Sequence, residues 1–348
     1  MRPITLRDLA EKAGVSHMTV SRALRHSPKV NGTLRQQIEQ IAQEMGYHPN
    51  PAAAALTYLR STSKIKPIEA GLAWLSFQPE LKSLREVRLL AENWKGAAVM
   101  AESLGYRIEE FVCGGKALTP QKLKSILVAR SIQGILLPSH SPPNTRIDFH
   151  LDWSQFAVIR IGRSEPYPAA HVVGHSQAHD ACHACRRILQ KGYQRVGFVT
   201  TEVIRTSSLF AGGYLQVQSQ VPKKNQVPIL ELSHMWTSQT PEVLEKIDRW
   251  MKKHSPDAIL STECKMKSLL TAAGYRVPED VSLAATSVND SEADAGIFES
   301  PEEAGRIAVQ NLVGLLQRNE LGLPDYPHDI LIRGKWQDGT SLPDCRQS

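Results

Sequence analysis

The first 50 residues contain three short runs in which apolar positions recur at helical spacing. Two runs lie in the segment 5–25 and are separated by Gly14, and the third spans 31–45. Intervals of three and four residues place the apolar side chains of each run on one face of an α-helix. Ser16 and Asn31 stand directly before the second and third runs, where their side chains can accept a hydrogen bond from a free backbone N–H. The pattern predicts three short helices, the last two of them capped.

The second predicted helix has an apolar face for a core and a mixed face for the outside. Val20 and Leu24 form the apolar face, and the outward positions carry imidazole, thioether, hydroxyl and guanidinium groups. Side chains of these kinds at the start of a helix suit a reader of the DNA major groove. On these residues alone, an ordinary helical hairpin with a solvated face explains the pattern equally well.

From residue 68 onward, short apolar runs alternate with longer amphipathic ones. The predicted strands are 70–77, 107–112, 134–138, 156–161, 196–200, 228–232, 258–261 and 282–286, and the predicted helices are 84–104, 120–130, 177–189, 209–218, 241–254, 266–273 and 302–318, with a second set of elements beginning near 172. Such alternation predicts parallel sheets with crossover helices. The number of elements predicts two α/β lobes in sequence.

The positive charge of the chain is confined to its N-terminal part. The 348 residues include 41 Lys and Arg and 35 Asp and Glu, a formal net charge of +6. Residues 1–66 hold ten basic and four acidic residues, whereas the remainder holds 31 of each. Contact with DNA phosphates requires a basic surface, and a merely solvated basic face would not explain the neutral body.

Charge, hydropathy and cysteine usage also indicate a compartment. The N-terminus lacks the apolar segment of a secretory signal, and no apolar run reaches membrane-spanning length. The five cysteines, Cys113, Cys182, Cys185, Cys264 and Cys345, are scattered and do not form the pattern of a disulfide framework. We therefore expect a cytoplasmic, nucleoid-associated protein with free thiols and no membrane partner.

A long motif runs through the head and into the segment that follows it. It comprises Thr5-Leu6-x-Asp8-x-Ala10-x-x-Ala13-Gly14-Val15-Ser16-x-x-Thr19-Val20-Ser21-Arg22, then Gly46-Tyr47-x-Pro49-Asn50 and Ala53-x-x-Leu56. These residues resemble the LacI/GalR family of bacterial transcription regulators. The resemblance implies an α/β protein with an all-α helix-turn-helix head, a hinge helix and a two-lobed core like that of periplasmic binding proteins.

The resemblance also implies a division of the chain. A DNA-binding domain is expected at 1–48, a hinge helix and linker at 49–67, and an effector-binding and dimerisation domain at 68–340. Within this last domain we expect lobe one at about 68–168 and lobe two at about 169–300, with the C-terminal part crossing back.

The implied partner of the head is operator DNA, bound by a homodimer. The expected DNA-binding residues are Thr5, Leu6, Ser16, His17, Met18, Thr19, Ser21, Arg22, Asn31, Asn50, Ala53 and Leu56. In the family, the residue matching Leu56 wedges between base pairs in the minor groove. Because the few residues after Pro51 cannot form a stable helix alone, we expect the hinge to fold only on DNA.

A weaker resemblance to the same family covers most of the body. It rests on Gly192-Tyr193-x-Arg195-Val196-Gly197-Phe198, on Pro256-Asp257-Ala258-Ile259 and on Gly274-Tyr275-x-Val277-Pro278-Glu279-Asp280-Val281-Ser282. Family members bind a small effector in the cleft between the lobes, and open α/β sheets bind ligands at the carboxyl ends of their strands. The expected effector-binding residues are Phe77, Arg163, His175, Phe210, Trp236, Glu263 and Ser287.

Four of these positions depart from the family's polar pattern. The family usually has Asp where His175 stands, Arg at Phe210, an Asn-Asp pair at Glu263-Cys264 and Gly-Phe-Asp at 285–287. Those groups bind sugar hydroxyls, so their loss predicts that common hexoses do not bind and that an effector is less polar or contacts His175 and Glu263 directly. The aromatic residues Phe77, Phe210 and Trp236 are equally consistent with core packing, which is favoured for Trp236.

The predicted helix 177–189 and the residue pair before it are rich in histidine, which is a common metal ligand. His175, His179 and His183 recur at intervals of four, with Cys182 adjacent, and such spacing can bring two imidazoles onto one metal. A closed site needs four ligands and the others are not evident, so a packing role is favoured and no metal or other cofactor is expected. The core face of this helix is assigned to Ala178, Ala181, Cys185 and Ile188.

No catalytic motif is present in the sequence, and no enzymatic activity is expected.

These observations predict a sequence-specific transcriptional repressor that binds a pseudo-palindromic operator as a homodimer and responds to a small molecule in the cleft of its core. Two alternatives stay open. One is a regulator controlled by a protein partner or by no ligand at all, and the other is a cytosolic solute-binding module with a vestigial head.

Overall fold

The computed structural model describes residues 6–24, 30–45, 70–77, 88–113, 118–139, 149–163, 167–201, 207–232 and 239–347. The predicted hinge helix and linker lie outside these residues, as do the predicted site residues Thr5, Asn50, Ala53, Leu56 and Trp236. No helix in the described part of the chain is both long and apolar enough to cross a membrane.

Three helices form the head: α1 (Leu6–Ala13), α2 (His17–Leu24) and α3 (Gly32–Glu44). They meet around an apolar core in which Leu9, Val20 and Ile38 have no exposed surface. The predicted core faces are therefore confirmed in outline. Ala23, which the sequence did not single out, is fully buried, whereas Leu24 is only partly covered.

The first lobe is built on a sheet of six parallel strands. Its elements in chain order are β1 (Ala70–Ser76), α4 (Arg88–Ser103), β2 (Tyr106–Val112), α5 (Pro120–Ala129), β3 (Gly134–Leu137), β4 (Ala157–Ile161), β5 (His171–His175) and, much later, α10 (Pro301–Arg318) and β11 (Asp329–Ile332). The strand order is β11-β5-β4-β3-β1-β2. Both faces are covered, which explains why its strands are continuous apolar runs.

The second lobe repeats this layout around a second six-stranded sheet. Its elements are α6 (Gln177–Gln190), β6 (Val196–Thr201), α7 (Ser207–Gln218), β7 (Leu230–Leu232), α8 (Pro241–His254), β8 (Ala258–Ser261), α9 (Met266–Ala272), β9 (Ser282–Ala285), β10 (Gly296–Phe298) and β12 (Lys335–Gln337). The strand order is β12-β10-β9-β8-β6-β7, and only β12 is antiparallel to its neighbour.

The chain passes between the two sheets three times. The crossings fall between β5 and α6, between β10 and α10, and between β11 and β12. Since β5 belongs to the first sheet, that sheet extends past the expected lobe boundary near residue 168. After residue 300 the chain returns to the first sheet in α10 and β11. Strand β5 and the three short strands β10, β11 and β12 were not predicted.

The crossing of α4 and α10 brings two backbones into direct contact. A side chain at Gly96 of α4 would collide with the carbonyl oxygen of Glu302, and one at Gly305 of α10 would collide with that of Asn93. Glycine at both positions therefore permits the close approach. One consequence is that Asn93 and the first turn of α10 lie side by side.

The histidine-rich helix α6 packs on the second sheet. Its buried residues are Asp180, Ala181, Cys182, Ala184, Cys185 and Ile188. The predicted core position Ala178 is instead exposed, and a carboxylate is buried in the next turn. The rings of His179 and His183 lie 6.0 Å apart. Within the described ranges, no three His, Cys, Asp or Glu side chains gather in a way that could hold a metal ion.

Candidate functional site

The turn between α1 and α2 is held by short backbone and side-chain contacts. Gly14 adopts a positive φ of 65°, and the N–H of Val15 donates to the carbonyl oxygen of Ala10 at 3.1 Å. Ser16 Oγ accepts from the N–H of Thr19 at 3.1 Å, and the two hydroxyl oxygens lie 2.9 Å apart. Ser16 therefore caps α2 as predicted and fixes where this helix begins.

The exposed face of α2 presents Arg22 to solvent. Asn31 caps α3, because its Oδ1 accepts from the N–H of Thr33 at 3.0 Å. That bond leaves its amide nitrogen as the group able to reach a phosphate. The other predicted DNA contacts in these helices, at Leu6, His17, Met18 and Ser21, have side chains outside the described part of the structure.

A cavity of about 360 Å³ lies between the two lobes, and we call it the interlobe cavity. Ser139, Arg163 and His175 line it at the ends of β3, β4 and β5. Residues that follow β8, β9 and β10 line the opposite side. The cavity thus occupies the carboxyl ends of both sheets, where open α/β folds bind ligands, and its volume is in the range of small-molecule sites.

Arg88 reaches from the first lobe to the second across this cavity. Its Nε donates to Glu92 Oε1 at 2.7 Å, one turn further along α4. Its Nη1 donates to the carbonyl oxygen of Asn289 and lies 3.7 Å from Asp290 Oδ1, both in the second lobe. The guanidinium charge is therefore countered by two carboxylates.

Two other carboxylates line the second-lobe wall. Glu263 is 5% exposed, and its Oε1 accepts from the N–H of Lys265 at 3.2 Å. Glu299 is fixed by the side chain of Asn289, whose Oδ1 accepts from the Glu299 N–H at 3.1 Å and whose Nδ2 donates to the Glu299 carbonyl oxygen at 3.0 Å. The Glu299 carboxylate lies 3.8 Å from Nδ1 of His175.

Burial changes the acid–base behaviour of the groups on this wall. It raises the pKa of Glu299, and the nearby His175 opposes that shift. Burial and the neighbouring Glu263 together raise the pKa of Cys264 to about 11. The thiol is therefore neutral near pH 7 and lies 3.5 Å from Glu263 Oε1.

Several polar atoms around the interlobe cavity are buried without a hydrogen-bond partner. They are Asn93 Oδ1, Arg163 Nε, His175 Nε2 and Gln177 Oε1. An unsatisfied buried polar group costs on the order of 1–3 kcal/mol, so native proteins seldom tolerate several together. Here four such atoms belong to residues that line one cavity.

Comparison with known proteins decides the class of the molecule. Residues 5–50, which include all three head helices, match the model of bacterial regulatory proteins of the lacI family. This head belongs to the lacI family. The helix-turn-helix head is the DNA-binding module of a transcriptional regulator.

The similarity of this chain to full-length regulators extends through the body. The probable HTH-type transcriptional repressor ExuR of Bacillus subtilis (strain 168) is 22% identical over 291 residues, which cover 80% of each chain. The structure of the regulator CelR with cellobiose matches with a TM-score of 0.56 and 19% identity, covering 98% of this chain and all of the other. The lac repressor dimer bound to operator and the anti-inducer ONPF gives 0.54 and 17%, with the same coverage. At these identities the two structures establish the fold.

The structure brings together five of the seven predicted effector residues. Arg163, His175, Phe210, Glu263 and Ser287 all line the interlobe cavity. Phe77 does not line it, because its ring packs edge-on against Phe149 with a centroid distance of 5.2 Å. Phe210 both lines the cavity and joins the second-lobe core. Their role as effector ligands stays a prediction.

Sequence reasoning missed Asn93, Gln177 and Glu299. Asn93 occupies a core position on α4, three residues after the buried Leu90, and a lone amide at such a position was a usable signal. Glu299 follows β10, a strand of three residues that carries too little periodicity to be recognised. No comparable signal marked Gln177.

Proposed function

We propose that this lacI-family regulator represses transcription by binding a pseudo-palindromic operator as a homodimer, and that a small molecule in the interlobe cavity changes its affinity for that operator. The observation that carries the effector proposal is the group of buried, unpartnered polar atoms around the cavity. Such atoms lower their free energy when a ligand supplies the missing partners.

Two features support a DNA-binding function without catalysis. The basic excess of the sequence lies in residues 1–66, which hold ten basic and four acidic residues. Burial and the neighbouring Glu263 raise the pKa of Cys264, the cysteine that lines the interlobe cavity, so its thiol is protonated near pH 7 and is a poor nucleophile. We place the protein in the cytoplasm, acting on the nucleoid.

Ligands bound to two of the matched structures support the proposal by analogy. The names of the matched structures record cellobiose bound to CelR, and operator and an anti-inducer bound to a lac repressor dimer. By analogy, one surface of this chain contacts DNA and a second site accepts a small molecule. Coupling between the sites requires the small molecule to bind the two DNA-binding states with different affinities.

The test combines operator selection with ligand screening on the full chain. Binding sites are selected from a random DNA pool, and metabolites are screened for a rise in melting temperature. A ligand at a hundred times its Kd stabilises the native state by about 2.7 kcal/mol. We expect the selected operator to be two-fold symmetric and at least one stabilising metabolite to shift operator affinity.

Three outcomes would contradict parts of the proposal. Failure to enrich any DNA motif would favour a solute-binding module with a vestigial head. Operator binding that no stabilising metabolite alters would favour control by a protein partner or by no ligand. A binding stoichiometry of one chain per operator would exclude the homodimer.

A further inference from the structure

The charges around the interlobe cavity do not balance. Among the described residues that line it, the side chains include two guanidinium groups, Arg88 and Arg163, and four carboxylates. Arg88 is neutralised by Glu92 and Asp290, and Arg163 Nη2 is bound 2.6 Å from Asp329 Oδ2, outside the cavity. Two carboxylates, Glu263 and Glu299, are left over.

Neither leftover carboxylate has a lysine or arginine partner within the described ranges of the chain. Glu299 has the Ser287 hydroxyl as a hydrogen-bond partner, and His175 lies 3.8 Å away, a distance too long for a hydrogen bond. The described partners of the Glu263 carboxylate are a backbone N–H and a thiol. Buried carboxylates are normally paired or bound to a cation, so this pair of acids is unusual.

Residues with unpartnered buried polar atoms also line the interlobe cavity. His175 is 9% exposed and Asn93 is 3% exposed; both residues line the cavity, and each has a buried ring or amide atom without a hydrogen-bond partner. An amide can present either its oxygen or its nitrogen, so Asn93 does not favour a ligand of one charge. The two carboxylates favour a cationic ligand, because an ionised carboxylate is negatively charged and only accepts hydrogen bonds.

The segments that lie outside the described residues and follow the strands of the two sheets add no net charge to this count. Those that follow β1, β2, β3, β4, β6 and β7 span 78–87, 114–117, 140–148, 164–166, 202–206 and 233–238. Together they contain five acidic and five basic residues.

We propose that the interlobe cavity binds a small molecule carrying an amino or amidino cation, which the carboxylates of Glu263 and Glu299 hold from the second-lobe wall. The proposal rests on the proposed function of the cavity as the effector site. Asn93, Gln177 and the free Nε of Arg163 then bind the neutral polar groups of the same molecule. An acidic ligand would meet two carboxylates of its own sign, and a neutral sugar would leave both unpaired.

The experiment compares amines with alcohols and acids of the same skeleton. The probes are glucosamine, glucose and glucuronate; galactosamine, galactose and galacturonate; and butylamine, butanol and butyrate. Each is added at millimolar concentration to the full chain, with melting temperature as the first readout and calorimetry as the second. We expect amines alone to raise the melting temperature.

The variants Glu263→Gln and Glu299→Gln test whether the two carboxylates are responsible. A hydrogen bond to a charged group is worth about 1.5–3 kcal/mol, so each variant should weaken amine binding roughly 10- to 100-fold. The matched control is Glu102→Gln, which removes one negative charge from an exposed site on α4 away from the cavity. It should leave amine binding unchanged.

The probe series on the unaltered protein keeps the proposal testable even if a variant fails to fold. An acid or alcohol that stabilises the protein as much as its matching amine would overturn the cationic ligand, and so would a series in which no amine stabilises it. An alcohol or acid that binds and changes operator affinity would leave the proposed function intact. An amine that binds through Glu263 and Glu299 without changing operator affinity would instead remove the effector role.

Discussion

At the scale of single residues, Glu299 is expected to lower the stability of the ligand-free protein. Burial raises its pKa in the folded state, so folding favours the protonated carboxyl. Below the unfolded pKa of about 4.3 both states are protonated and this stability is fully present. It is lost as the pH rises through the folded pKa, because the buried group must then ionise.

Glu299→Gln should therefore melt at a higher temperature than the unaltered protein near pH 7 to 8, and the difference should shrink toward pH 4. For a chain of this size we expect roughly 2–4 °C for each kcal/mol recovered. Thermal unfolding across this pH range checks the prediction, with Glu102→Gln as the control for loss of one charge. A difference that grows as the pH falls would contradict it.

Arg22 is expected to set the sequence of the operator. Its exposed guanidinium can donate two hydrogen bonds to O6 and N7 of a guanine, and Arg22→Ala should cost about 1–3 kcal/mol and relax one position of the site. Selection from a random DNA pool measures this directly. Lys12→Ala, which also removes one exposed positive charge, should change affinity without changing the motif. Equal enrichment of the same motif by Arg22→Ala and the unaltered protein would refute the role.

At the scale of elements, the contact between α4 and α10 depends on two glycines. Gly305→Ala would place a methyl group against the backbone of Asn93, and neither helix can yield without moving the cavity wall. We expect a loss of about 1–3 kcal/mol or more in the free energy of unfolding, measured with urea.

Gly314→Ala in the same helix is the matched control. The nearest atom to its added methyl is the flexible end of Arg318, 3.2 Å away, and alanine favours a helix over glycine by up to about 1 kcal/mol. This variant should be neutral or more stable. Equal destabilisation by both variants would show that helix packing is not the cause.

How far the sequence predicts these elements depends on their length and burial. Helix 241–254 and strand 258–261 were predicted with their observed bounds, because a capping Thr240 and a continuous apolar run mark them. Strand β11 was missed because it lies at a sheet edge and its side chains alternate between exposed and half-buried, which gives no core face.

The candidate site was predictable where a residue occupies a position at which the family has a polar effector ligand. His175, Glu263 and Ser287 were predicted from that resemblance, and the rule that open α/β sheets bind ligands at the carboxyl ends of their strands independently placed a ligand there. Glu299 could not be found in this way, because its strand was not recognised. The pairing of Arg88 with the second lobe was also beyond the sequence, since it joins residues 201 positions apart.

At the scale of the whole molecule, the two-fold symmetry expected of the operator connects the heads to the bodies. The hinge residues 50–57 lie outside the described ranges, so the prediction for them rests on the sequence. Two short Ala-rich segments brought together by paired bodies can pack on each other and fold on DNA, although one alone cannot. Leu56→Ala should then weaken specific binding and reduce DNA bending while leaving salt-sensitive non-specific binding nearly intact.

Amide exchange across residues 52–56, with and without the selected operator, checks the coupled folding. We expect protection only in the complex. Protection already present in the free protein would mean that the hinge is preformed. Unchanged bending by Leu56→Ala would separately exclude the wedge.

The three crossings between the sheets have a consequence for how the protein is made. A ribosome releases residues in order, yet six of the sixteen residues in one core of the first lobe come from α10, and the edge strand β11 follows only at residues 329–332. More than a hundred residues must therefore be synthesised after β5 before α10, which packs on the first sheet, is available to the first lobe. The second lobe is completed slightly later in the chain, by β12 at 335–337. A stop codon before residue 329 leaves both lobes incomplete, so truncation cannot yield a working half of this body.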